Sequence, residues 1–163
     1  MAVEVMSAAD DARWMMVAME TARRGIAAGQ SPFGAVVVRG GAAIGVGHNE
    51  VWKRTDITAH AEVVAIQRAC AAAGAVDLSG CTIYTTCEPC PMCASAIHWA
   101  RIARCVCGAG IADAAVAGFN ELRLPAREVY RMGRSGVLLA EGVLRHECAQ
   151  LFEEWKAAVG RAY

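Results

Sequence analysis

The sequence predicts an α/β protein, a sandwich on a mixed sheet of about five strands, in a single domain covering residues 1–163. Three observations carry this. A chain of 163 residues suits one compact unit and is short for two. The stretch "FGAVVVRGGAAIGVGHN" reads as two β-rich runs about a Gly40-Gly41 turn, a hairpin signal. Beyond it, strand patterns alternate with helical ones. The order of the strands in the sheet is not legible at this level.

From Ala9 to Ala28, Trp14, Val17, Ala18, Thr21 and Ile26 recur at roughly helical spacing, and "AAGQSP" stops the helix. After the hairpin, "AEVVAIQRACAAAG" is an alanine-rich helix ending at Gly74. "CTIYTTC" is a strand, and "PMCASAIHWARI" opens a helix with proline at its first position. "ARCVCGAG" reads as a buried strand. An irregular stretch is expected from Ile111 to Arg134, then a last strand in "GVLLAEGV" and a terminal helix in "LRHECAQLFEEWKAAV".

Composition excludes several classes. Hydrophobic residues make up 56% of the chain and charged ones 20%, with 16 Lys plus Arg against 16 Asp plus Glu. That balance fits neither a disordered chain nor a strongly basic nucleic-acid binder. The opening "MAVEVMSAADDARWMM" carries acids where a secretory signal carries lysines, and no apolar run approaches the roughly 20 residues that span a bilayer. A cytoplasmic protein without a membrane partner is expected. Eight cysteines then read as reduced thiols. Cys70, Cys81, Cys105, Cys107 and Cys148 sit in apolar surroundings and read as small core residues.

Cys90 and Cys93 are three apart around Pro91, so a helix beginning there turns both sulfurs to one side of its first turn, where free backbone N–H groups favour thiolates. Histidine nitrogen with cysteine sulfur suits Zn²⁺. His60, just before the other alanine-rich helix, is the third ligand. Two readings are open. In a closed structural site, Cys87 or Cys81 completes the shell and the domain is an interaction module. In an open site, the fourth position takes water, whose pKa zinc lowers to about 7.

Glu62 separates them. Two residues from His60, it does not share a stripe of a regular helix with it, so the two converge only at the helix start. There Glu62 could be a charge favoured by the helix dipole, or the carboxylate that carries protons for water on the ion. The spacing His-x-Glu followed by Pro-Cys-x-x-Cys is that of zinc deaminases acting on nucleobases, and "HAE" with "PCPMC" matches it without gaps.

On "SPFGAVVV", "HNEV", "DITAHAEVVAI", "CEPCPMC", "AIHWARI" and "DAAVAGFNE", the chain resembles the cytidine deaminase-like superfamily, and within it the bacterial guanine deaminase branch over nearly its whole length. The resemblance implies a three-layer α/β/α fold, one catalytic zinc, hydrolysis of guanine to xanthine and ammonia, and a homodimer whose C-terminal segment crosses to the partner.

It also implies that His60, Cys90 and Cys93 hold zinc, that Glu62 is the proton shuttle, and that Asn49 and the Ala61 N–H bind the purine. Phe33 and Trp99 fall at apolar walls of the pocket. Glu121 replaces the usual aspartate of "GFDD" with a carboxylate one methylene longer. Tyr163 matches a tyrosine that closes the site. Read without the resemblance, Asn49 could cap a turn, Phe33 and Trp99 could be core, and Asp113 could start a helical turn. His48, His98 and His146 are not expected as ligands.

The C-terminal third, "GVLLAEGVLRHECAQLFEEW", is more similar to the tRNA adenosine deaminase branch. For an RNA substrate, Arg101, Arg104, Arg123, Arg127, Arg131 and Arg134 could form a cationic groove. The sequence therefore points to a zinc aminohydrolase of a free purine base, guanine first. tRNA adenosine, a guanine-like nucleoside and another aminated heterocycle are the alternative substrates.

Overall fold

The structure is a computed structural model and describes residues 7–163. The reading of the first residues as no secretory signal falls in part on 1–6, outside the described residues. Helix α1 (Ala8–Ala27) starts at Ser7, whose hydroxyl accepts from the Asp10 N–H while the Asp10 carboxylate accepts from the Ser7 N–H. Strands β1 (Gly34–Arg39) and β2 (Ala42–His48) form the expected hairpin, and a short helix, α2 (Val51–Arg54), comes next. Helix α3 (Ala61–Ala73) ends at Gly74, as its sequence requires, and leads to β3 (Thr82–Cys87), α4 (Pro91–Trp99) and β4 (Arg104–Ala109).

The stretch expected to be irregular holds two helices of seven residues each, α5 (Ile111–Ala117) and α6 (Ala126–Met132). Each is about two turns, too short to show a 3.6-residue period. They are recognisable mainly by their starts, Asp113 accepting from the Gly110 N–H and Pro125 preceding α6. Strand β5 (Leu138–Ala140) is shorter than "GVLLAEGV" suggests, and α7 (Arg145–Ala158) closes the fold.

The sheet order is β2-β1-β3-β4-β5, antiparallel from β2 to β3 and parallel from β3 to β5. Alternation along the strands divides the core in two. Val36, Val38, Tyr84 and Val106 pack with Trp14, Met15 and Ala18 of α1 and with Leu151, Phe152 and Trp155 of α7. Their neighbours Ala35, Val37, Ile83 and Cys105 pack with Ala61, Ala65 and Ala69 of α3 and Ile97 of α4. This is the three-layer α/β/α arrangement with a mixed five-stranded sheet. All eight cysteines are free, with Cys81, Cys105, Cys107 and Cys148 buried in the core and Cys70 half-buried. Among the described residues, no helix is long and apolar enough to cross a membrane.

Gly47 sets how closely α3 approaches the hairpin. A Cβ there would come within 2.6 Å of the Ala65 nitrogen and 2.7 Å of the Ala61 carbonyl oxygen. Its absence lets the first turn of α3 lie against β2 just before His48 and Asn49, so α3 begins beside the end of the hairpin.

Candidate active site

Two helix starts face each other. His60 is the N-cap of α3, with Ala61 and Glu62 its first two residues; Cys90 is the N-cap of α4, with Pro91 first and Cys93 third. The Ala61 N–H, at the first position of α3, has no intrahelical acceptor. The Nδ1 of His60 lies 3.7 Å from Cys90 Sγ and 3.5 Å from Cys93 Sγ. A tetrahedral zinc with Zn–S of about 2.3 Å and Zn–N of about 2.05 Å requires an S···N edge of about 3.6 Å. The three donors therefore fit that ion, and all their ligand atoms lie within 4.8 Å of one another.

Neither candidate for a fourth thiolate joins them. Cys87 Sγ faces the Gly110 carbonyl at 3.7 Å, and Cys81 Sγ accepts from Arg39 Nε at 3.2 Å. Among the described residues the cluster is His60, Cys90 and Cys93, which argues against a closed four-ligand site.

Electrostatics prepare the donors. The Cys90 thiol falls to about 4, first because Cys93 donates a hydrogen bond to it and then because His60 faces it. Cys93 moves the opposite way, so the first negative charge of the pair rests on Cys90. For His60, burial disfavours the cation, but the Cys90 bond and the Glu62 charge override it and raise its pKa.

Glu62 is buried, and Thr85 Oγ1 donates to its Oε1 at 3.2 Å while Cys93 Sγ lies 3.5 Å from its Oε2. Burial pushes its carboxyl above the ordinary range. A carboxyl so placed holds a proton more readily than a solvated one and stands beside the donor cluster, where it can take up and return one, which the helix-dipole reading of Glu62 does not require.

A cavity of about 300 Å³ opens on His60 and Cys90, with Met92, Phe119, Leu122 and Ile57 as apolar lining and Asn120, Glu121 and Tyr163 as polar lining. This size belongs to small-molecule sites. Burial raises the Glu121 carboxyl, and the nearby Cys90 charge adds to the rise. A larger cleft of about 1030 Å³ lies across the Phe119–Glu121 segment, towards Cys107 and Arg145, but touches neither His60 nor the two cysteines. The smaller cavity is the one at the donor cluster.

Asn49 is fully buried; its Oδ1 accepts from the Val51 N–H at 3.1 Å and its Nδ2 donates to the Tyr163 hydroxyl at 2.7 Å. The turn-capping reading of Asn49 and its place beside the site are thus both realised. Tyr163 lies over its own chain's site, with its ring centroid 5.7 Å from that of His60.

Phe33 does not line the cavity. It stands behind Phe119, edge to face at 4.9 Å, and Phe119 is the wall. Trp99 is no wall either: it is 80% exposed at the far end of α4. A nine-residue helix rises about 14 Å, which puts Trp99 away from the Cys90 cap, and it is not among the residues that line the cavity. Sequence reasoning also passed over Thr85 of "CTIYTTC" and Phe119 of "DAAVAGFNE", which carry no charge or soft metal-binding atom to single them out.

Fold and site together define a zinc-binding deaminase class, in which a carboxylate accompanies three metal donors at two helix starts. The chain belongs to that family: residues 8–109 match the cytidine and deoxycytidylate deaminase zinc-binding region. Guanine deaminase of Bacillus subtilis is 50% identical over 105 residues, 64% of this chain and 67% of that protein. The tRNA-specific adenosine deaminase of Aquifex aeolicus is 40% identical over 93 residues, 57% of this chain and 62% of the relative. The solved guanine deaminase of Nitrosomonas europaea superposes with a TM-score of 0.83 at 31% identity, covering 90% of this chain and 84% of that one.

Proposed function

We propose that this chain is a single-domain zinc-dependent aminohydrolase that converts free guanine to xanthine and ammonia. The observation that carries the reading is the small cavity at the donor cluster, walled by Tyr163 on Asn49 and bearing the Glu121 carboxylate. A carboxylate inside the cavity selects a ring presenting N–H donors. Guanine offers N1–H and its exocyclic amine; adenine offers no ring N–H on that edge.

His60, Cys90 and Cys93 would hold the ion. When bound, zinc supplies Lewis-acid activation of a water. Glu62 accepts a proton from the attacking water and delivers it to the ring nitrogen beside C2. It then takes the second water proton and hands it to the departing amine, so guanine plus water gives xanthine plus ammonia. Ala61, with its N–H free at the helix start, offers a donor to a purine oxygen. Phe119 and Leu122 give the ring apolar surfaces.

Of the six arginines considered for an RNA groove, four are engaged by carboxylates, while Arg123 and Arg134 are exposed without one among the described residues, so less than the full set is free to face a polynucleotide. Arg104 is paired with Asp11, Arg127 with Glu141, Arg131 with Glu128 and Arg101 with Asp77. We place the protein in the cytoplasm as a homodimer, testable by sedimentation. The deciding experiment incubates zinc-loaded protein with guanine, guanosine, adenine, cytosine and a tRNA and measures ammonia. Release from tRNA and none from guanine would overturn the proposal.

A further inference from the structure

The hydrogen bond between Asn49 and Tyr163 does not by itself hold the residues after α7 in place. One neutral hydrogen bond is weaker than the conformational entropy lost in ordering several residues of chain. Something else must seat this segment.

The chain turns as α7 ends. The N–H groups of Val159 and Gly160 both return to the Trp155 carbonyl, at 2.7 and 3.0 Å, and Gly160 takes a φ of 63°, in the left-handed region glycine accepts without strain. Arg161 then meets Trp52 of α2. Its guanidinium carbon stands 3.5 Å above the centroid of the Trp52 ring, and Trp52 Nε1 donates to the Arg161 carbonyl at 3.3 Å. The Tyr163 ring stands edge to face with the same indole at 6.3 Å. One side chain thus touches the segment as a cation–π surface, as a hydrogen-bond donor and as an aromatic face.

Trp52 is three residues from Asn49, and the Val51 N–H to Asn49 Oδ1 bond ties the turn between them. The donor that fixes the Tyr163 hydroxyl and the indole that fixes the backbone before it therefore belong to one short rigid stretch at the start of α2.

We propose that Trp52 is a positioning residue that seats residues 161–163, so that Tyr163 stands over His60 with its hydroxyl on Asn49; what the seated Tyr163 closes upon rests on the guanine reading above. The alternative is that Trp52 is a surface aromatic that Arg161 happens to cover, with Tyr163 held by its own packing on Phe119, Val51 and Ala59.

Hydrogen exchange of the 156–163 peptide and steady-state kinetics on guanine, measured on the full zinc-loaded chain, separate the two. Trp52→Ala should speed exchange of the Val159 and Gly160 amides, whose bonds to the Trp155 carbonyl lead into the seated residues, about tenfold and raise KM by a similar factor, with kcat changed less and zinc content unchanged. Trp52→Phe keeps a ring under Arg161 and loses the indole N–H, so it should fall between. In a Tyr163→Ala background, Trp52→Ala should raise KM no further, because the residue it positions is gone. Wild-type exchange and KM in Trp52→Ala, or full additivity with Tyr163→Ala, would overturn the proposal. Should Trp52→Ala fail to fold, Trp52→Phe decides by the same readouts. Absence of guanine turnover in the wild-type chain would sink the substrate reading instead, and the exchange comparison would still decide for or against Trp52.

Discussion

Asn49 and Tyr163, 114 residues apart, are joined at 2.7 Å by a bond in which the amide nitrogen donates to the phenol oxygen. The direction follows from the amide's orientation: Oδ1 turns to the Val51 N–H, and Nδ2, which can only donate, faces the phenol. Burial raises the Tyr163 phenol well above its ordinary range, so the hydroxyl keeps its proton and can donate it into the cavity. Of this bonded pair, Tyr163 is the member that lines the cavity.

Replacing Tyr163 by Phe removes that donor and strands the buried Asn49 amide. KM for guanine should rise roughly three- to tenfold, the worth of about one neutral hydrogen bond, while bound zinc is retained. Steady-state kinetics with metal analysis checks both halves.

Glu62→Gln keeps the shape of the side chain and its bond with Thr85 but cannot cycle a proton. Turnover should fall by about two to four orders of magnitude, with zinc binding retained. Single-turnover ammonia release, with zinc quantified on the same sample, tests this. Wild-type turnover in the variant would leave Glu62 as no more than a helix-start charge.

The donor cluster and the carboxylate beside it are legible in the sequence because they are local: His60 with Glu62, and Cys90 with Cys93, each sit within one helical turn, and spacing dictates how they point. The β1–β2 hairpin and helices α1, α3, α4 and α7 were legible for a related reason, since each is long enough to show its period or carries a turn or stop signal. Placement across the sheet was not. Trp99 shares a helix with the metal donors and lies at its far end, while Phe119, from a loop read as irregular, supplies the wall assigned to Phe33. The strand order and the pairing of Trp52 with Arg161 depend on contacts between distant segments, which periodicity does not encode.

Zinc removal should expose one distinct thiol. In metal-free protein Cys90, lowered to about 4, is thiolate across the neutral range and half-buried, whereas Cys107 and Cys148 are pushed up to about 12 by burial and Cys105 is raised well above its ordinary value. Iodoacetamide at about pH 6 should label Cys90 first, and added zinc should suppress the labelling. Peptide mass mapping reads the site, and uniform labelling of the cysteines would contradict the assignment.

Glu121→Gln preserves size but replaces one acceptor oxygen with a donor, which then faces the guanine N–H groups. We expect kcat/KM for guanine to fall about a hundredfold or more, because a site built around ring donors is left with opposed groups. Zinc content should not change, and equal activity would remove Glu121 from substrate recognition.

Far from the cavity, Asp11 of α1 accepts two hydrogen bonds from Arg104 at 2.7 Å each and one from Tyr84 at 2.9 Å. Burial alone would raise the Asp11 carboxyl, but Arg104 and Tyr84 outweigh it and hold its pKa below the ordinary aspartate value of 3.8. A group that binds its proton more weakly when folded contributes fully above its unfolded pKa and loses that contribution as pH falls through the folded one. Stability should therefore decline below about pH 4, with Asp11 as one cause. Asp11→Asn should cost about 3 kcal/mol at pH 7 by leaving Arg104 largely buried without its counter-charge, and should flatten the acid limb. Replacing all three groups, Asp11→Leu with Arg104→Met and Tyr84→Phe, should recover much of the loss, since neither a charge nor the buried Tyr84 hydroxyl is then stranded between α1 and the sheet. Urea denaturation of the wild type and both variants at about pH 7 and about pH 3.5 measures each effect; an acid limb as steep in Asp11→Asn as in the wild type would assign the pH dependence to other carboxylates, with Glu50 beneath Arg54 and Arg68 the next to replace.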